Sequence, residues 1–138
     1  MKILIVHNYY NSSLPSGEAT AVGADVRLLR DHGIEVIEYA RHNDEINERG
    51  VAGRLTTAVA SVWSRRTYTE LTRLITEQKP DIAHFHNPFP LISASGYVAC
   101  KRAGVPVVQT VHNYRHACLN GLFVRDGAVC EACLGKSS

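Results

Sequence analysis

Apolar runs rich in β-branched residues alternate along the chain with stretches whose apolar positions recur every three or four residues. That is the pattern of strands separated by amphipathic helices. Strands are expected near residues 2–7, 34–40, 81–86 and 106–112. Ile3-Leu4-Ile5-Val6, Asp81 to Phe85 and Val107 to Val111 are clear, whereas Glu35 to Arg41 alternates more and reads as an outer strand. Between the first two strands a helix starts at Ser16 as N-cap and stops at Gly33, with Val22, Val26 and Leu29 as its buried stripe. Asn43 to Gly53 is polar and charged and reads as a mobile loop. Next comes a helix with Leu55, Ala58, Val59, Val62 and Trp63 on one face, then a second through Tyr68, Leu71, Leu74 and Ile75 to Pro80. After Pro88 and Pro90 a last helix places Ile92, Gly96, Ala99 and Ala103 on one face and ends at Gly104.

All four expected strands run out in the same dipeptide: His7-Asn8, His42-Asn43, His86-Asn87 and His112-Asn113. Strands joined through helices are parallel, so all four pairs fall at one edge of the sheet, beyond the carboxyl ends of the strands. Ligands of open α/β sheets bind there. Imidazole can donate or accept a hydrogen bond and the Asn amide does both, which suits a ligand rich in hydroxyls or phosphates. Asn also ends strands and His tolerates half-buried positions, so each pair alone reads better as punctuation, and it is the four at one edge that point to a site. Small residues at the start of the first helix, Gly17 and Ala19, leave backbone N–H groups accessible where phosphate is attracted. No G-x-G-x-x-G fingerprint is present, which disfavours a nicotinamide enzyme.

Composition narrows the setting. The 138 residues suit one domain of ordinary size, and 45% hydrophobic residues, 20% charged residues and a formal charge of +2 are those of a soluble globular protein. The Lys and Arg are dispersed, which argues against nucleic acid as a partner. No apolar run approaches the roughly 20 residues of a membrane span. Met1-Lys2 leads straight into a strand, so no leader is expected and the location is taken as cytoplasmic. Arg54, Arg65, Arg66 and Arg73 leave open a peripheral contact with anionic lipid at the membrane surface, against the plainer reading of a sheet-packed helix with solvated arginines.

Several segments together resemble a family. Ile3 to Asn8 followed by Pro15-Ser16-Gly17-Glu18, Lys79-Pro80-Asp81-Ile82-Ala83-His84-Phe85-His86-Asn87, Gly104-Val105-Pro106 through His112-Asn113, and Cys118-Leu119-Asn120-Gly121-Leu122-Phe123 resemble the amino-terminal half of family 4 glycosyltransferases, which have the GT-B fold. The resemblance implies a Rossmann-like three-layer α/β domain with a parallel sheet, an incomplete amino-terminal half of GT-B. It implies transfer of a sugar from a nucleotide-sugar donor to an acceptor with retention of configuration, with no cofactor required. His112, at the end of the strand expected to be central, would approach the donor sugar, and Ser16, Gly17 and Glu18 would lie near the donor diphosphate. Asn8, Tyr9, His86, Asn87 and Asn113 would hold the acceptor. Ser16-Gly17 stands where many members have two glycines. The chain ends at Ser138, before the family's nucleotide-binding domain and its paired glutamates, so that domain is expected as a partner and little activity is expected without it.

Residues 1–113 form the expected Rossmann-like part, and 114–138 a cysteine-containing flap or tail. The tail carries Cys118, Cys130 and Cys133, with His116 nearby. In a cytoplasmic chain three reduced thiols are the default; a structural zinc ion held by these residues, or a Cys130–Cys133 or Cys118–Cys130 disulfide, are the alternatives. Cys100 reads as an inert core residue. Three function classes stay open: part of a transferase, a non-catalytic sugar or nucleotide receptor using the same rim, or a zinc or redox interaction protein acting through the tail. Uncovered apolar surface on a half-enzyme would also favour self-association.

Overall fold

The computed structural model describes residues 1–10, 16–47, 57–115, 117–118 and 120–133. Four strands, β1 (Lys2–Tyr9), β2 (Glu35–His42), β3 (Ile82–Phe85) and β4 (Val107–Gln109), form one sheet in the order β2-β1-β3-β4, every pair parallel. Helix α1 (Gly17–Asp31) lies between β1 and β2 in the chain. The short α2 (Asp44–Asn47), a helical stretch α3 over residues 57–62 and α4 (Arg65–Gln78) lie between β2 and β3, and α5 (Ser93–Arg102) between β3 and β4.

The alternation of side chains along β1 divides the core in two. Leu4 and Val6 join Ala83 and Phe85 on one face, against Leu71 and Ile75 of α4 and Ile92, Ala99 and Cys100 of the α5 region. Ile3 and Ile5 point the other way, onto Val22 and Val26 of α1, with Leu29 partly buried beside them. A strand covered on both faces is apolar without interruption, which is why Ile3 to Val6 reads as a solid run. The caps of α1 follow its sequence: Ser16 Oγ accepts from Ala19 N at 3.1 Å, and Gly33 takes φ +71° past the C-cap His32. Gly96 lets α5 lie close to the sheet; a Cβ there would stand 3.0 Å from both Ile92 and Phe85.

Four expectations need correction. The loop expected from Asn43 holds the helical turn α2, because Glu45 Oε1 accepts from His42 N and both its oxygens accept from Arg41; residues 48–53 lie outside the described ones. The stripe on α3 faces outward: Val59 and Val62 are 70% and 74% exposed, Trp63 is exposed and so is Ala58, while Leu55 lies outside the described residues. Its direction is set at Ser64, which is buried, donates its N–H to Ser93 Oγ and caps α4 through Thr67 N. β4 is shorter than expected and sits at the edge of the described sheet, not its centre, because beyond Thr110, whose N–H donates to Phe85 O, the chain leaves β3. Ala103 is exposed, since it is the C-cap residue beyond the end of α5, whose last buried positions are Ala99 and Cys100.

Candidate functional site

The strand order makes a crevice. Helices on opposite faces follow β1 and β3, and these two strands are neighbours, so their carboxyl ends flank a topological switch point. His7-Asn8 and His86-Asn87 stand on its two sides. Hydrogen bonds carry the β1–β3 ladder past the regular strands: His86 N donates to Val6 O, Asn8 N to Asn87 O at 2.7 Å, and Asn87 N to His7 Nδ1 at 3.3 Å. On the other flank of β1, Asn8 Nδ2 donates to Asn43 Oδ1 at 2.8 Å, and Tyr9 stacks on His42. The fourth pair closes from the β4 side. His112 Nε2 is 3.0 Å from His86 Nδ1, with the two rings stacked.

Glu18 ties this rim to α1. One oxygen accepts from Asn87 Nδ2 at 3.1 Å, the other from Asn113 Nδ2 at 3.0 Å and from Tyr10 Oη at 3.4 Å. Its carboxylate therefore organises the rim amides. Ser16 is occupied as the N-cap. A Cβ on Gly17 would meet nothing within 4 Å among the described residues, so packing does not account for that glycine and space is left at the helix start.

The inner half of the rim, His7-Asn8 and His86-Asn87, is buried. His7 is held neutral with a pKa lowered to about 4, chiefly by burial, although Glu18 pulls the other way. Burial first, then the neighbouring imidazoles of His84, His112 and His7, lower His86 to about 3. His7 Nε2, Asn8 Oδ1 and His86 Nε2 are all buried without a hydrogen-bond partner. Such groups each cost about 1–3 kcal/mol, and a bound group that reached them would recover part of it.

The structure thus brings together Asn8, Tyr9, Ser16, Gly17, Glu18, His86, Asn87, His112 and Asn113 at one edge. It adds residues that the strand-end pattern did not mark. Gln109 donates through Nε2 to His86 O and accepts from Tyr97 Oη, fixing the backbone of the third pair. His84 is bonded through Nε2 to Thr110 Oγ1 at 2.8 Å, and with Asp25 and His86 it forms a group of potential metal ligands. The i, i+2 spacing of His84 and His86 was the available signal, since it sets both on one face of β3.

The tail behaves differently. Cys118, Cys130 and Cys133 are free thiols, and among the described residues they do not converge as a metal-ligand group; His116 lies outside those residues. Cys118 is buried and its Sγ donates to Asn120 Oδ1. A two-stranded hairpin, β5 (Val124–Arg125) and β6 (Ala128–Val129), shapes the segment, with Gly127 at φ +76° in its turn. Among the described residues no helix is long and apolar enough to cross a membrane. The model of the family described as Glycosyltransferase Family 4 matches residues 16–127, from the cap of α1 to the hairpin turn. No curated protein and no solved structure matches the chain.

Proposed function

Because the chain belongs to glycosyltransferase family 4, we propose that it supplies the acceptor-side half of a GT-B cleft in which a sugar passes from a nucleotide-sugar donor to an acceptor with retention of configuration. One observation carries this reading: the four His-Asn pairs join along one edge of the sheet, two of them flanking the β1–β3 switch point, beside the start of α1. The donor diphosphate lies against the backbone N–H groups at Gly17, with Ser16 and Glu18 shaping that turn. His112 faces the donor sugar, and Asn8, Tyr9, Asn87 and Asn113 orient acceptor hydroxyls, with His86 serving the acceptor side through the His112 ring it contacts. Amides and imidazoles fit this task because they bind hydroxyls in either sense of the hydrogen bond, and His7 and His86, held neutral by burial, place no positive charge beside the carbon where positive charge develops. A second Rossmann-like domain closes the cleft and reads the donor nucleotide.

The test is a screen of nucleotide-sugars against the protein as its gene encodes it, following acceptor-dependent release of nucleoside diphosphate. One donor is expected to support turnover with retained configuration. His112→Ala should then lower turnover by about a hundredfold while leaving circular dichroism unchanged, the usual loss for one positioned polar group. Turnover within a few-fold of the parent would make His112 a structural residue, and inversion of configuration would refute the retaining step.

A further inference from the structure

Asp25, His84 and His86 have no part in the transfer just described beyond the place of His86 on the rim. His84 and His86 send their rings to the sheet face covered by α1, where Asp25 stands in the turn between the buried Val22 and Val26. One ligand atom from each of the three lies within 4.8 Å of the other two. The His86 side chain is 0% exposed, its Nε2 has no hydrogen-bond partner, and that nitrogen stands 3.7 Å from Asp25 Oδ2. The distance is too long for a hydrogen bond. In either tautomer this nitrogen is left unsatisfied beside a carboxylate oxygen, whereas a positive centre between the two would bond both. The other side of the ring is already engaged, through Nδ1, with His112 Nε2 at 3.0 Å. Imidazoles that bind metals are usually held in this way, one nitrogen on the ion and the other on a neighbour.

We propose that Asp25, His84 and His86 bind one divalent cation of the zinc class, clamping α1 to β3 beneath the rim. Two imidazoles and one carboxylate suit Zn²⁺ or Co²⁺ better than Mg²⁺ or Ca²⁺, which favour oxygen alone. Bonds of roughly 2.0–2.2 Å in tetrahedral geometry put ligand atoms roughly 3.3 Å apart, so Asp25 Oδ2 and His86 Nε2, at 3.7 Å, need to close only slightly, and the His84 nitrogen moves in from within 4.8 Å of both. Three protein ligands leave a fourth position for water or a ligand group. With the ion on Nε2, the proton of His86 sits on Nδ1 and is donated to His112 Nε2, which sets the His112 tautomer with its own proton on Nδ1. That last consequence rests on the role given to His112 above; the site itself does not.

Untagged 138-residue chain, stripped with chelator, is titrated with CoCl₂ and followed by visible absorption and calorimetry. The expected result is one Co²⁺ per chain, displaceable by Zn²⁺, with d–d bands and no thiolate charge-transfer band in the near ultraviolet. Asp25→Asn should weaken binding by about tenfold or more, and Cys130→Ser with Cys133→Ser should bind as the parent does. Asp25 is half-exposed, so this isosteric variant keeps the fold, which a metal-free melting curve verifies. Failure to bind Co²⁺, or a spectrum dominated by thiolate and insensitive to Asp25→Asn, overturns the site. No turnover is measured, so the outcome is independent of the transferase reading.

Discussion

At the scale of single residues, the rim shows how burial and charge divide labour. His7 and His86 are neutral because water is excluded around them, which frees them to act as hydrogen-bonding or ligating groups across the physiological range. Glu45 illustrates the opposite case. The buried Arg41 guanidinium donates to both its oxygens at 2.7 Å and holds its carboxyl down to about 2 from the ordinary 4.5. A carboxyl depressed in the folded state adds stability above its unfolded pKa and loses it as pH falls through the folded value. Glu45→Gln should therefore cost about 2 kcal/mol at neutral pH, the worth of a hydrogen bond to a charged partner. The difference between variant and parent in urea unfolding should shrink steadily from pH 4.5 toward pH 2. A difference that stays constant over that interval would show that Glu45 contributes by shape alone.

At the scale of elements, the close approach of α5 to the sheet rests on one missing side chain. Leu71, Phe85 and Ile92 crowd the Cα of Gly96 from three sides, and a Cβ on it would stand 3.0–3.3 Å from their side chains. Gly96→Val should destabilise the protein by about 1–3 kcal/mol through overpacking, despite the better helix propensity of valine over glycine. Thermal and urea unfolding measure this directly, and an unchanged midpoint would mean that α5 slides outward at no cost. The helix α3 teaches a different lesson. Its Ala58, Val59 and Val62 do share a face, as their spacing requires, yet that face looks outward because Ser64 sets the angle at which the segment meets α4. Periodicity says which residues lie together and is silent about what they lie against.

At the scale of the whole molecule, β4 pairs with β3 alone among the described residues, and its Val107 and Val108, with Val111 beyond them, are 38%, 50% and 60% exposed. An apolar edge of this kind invites a further strand. The protein should associate as its concentration rises, and Val108→Lys should shift sedimentation toward the monomer, since a charge at an edge discourages pairing. A parent that stays monomeric up to high concentration would show that the edge is covered. The sequence alone determined the succession of strands and helices, the Ser16 and Gly33 boundaries of α1 and the parallel α/β class, because caps, turn residues and side-chain periods are local properties of neighbouring residues; the strand ends shifted, β1 running on to Tyr9 and β4 stopping at Gln109. Only the tertiary structure decided the order β2-β1-β3-β4, and with it the switch point between His7-Asn8 and His86-Asn87. It alone carries Glu18 to Asn87 and Asn113 across 69 and 95 residues of chain, and sets Asp25 against His86. Nothing local encodes these meetings: they follow from which strands come to lie side by side, and that is settled by burying two apolar faces at once around β1.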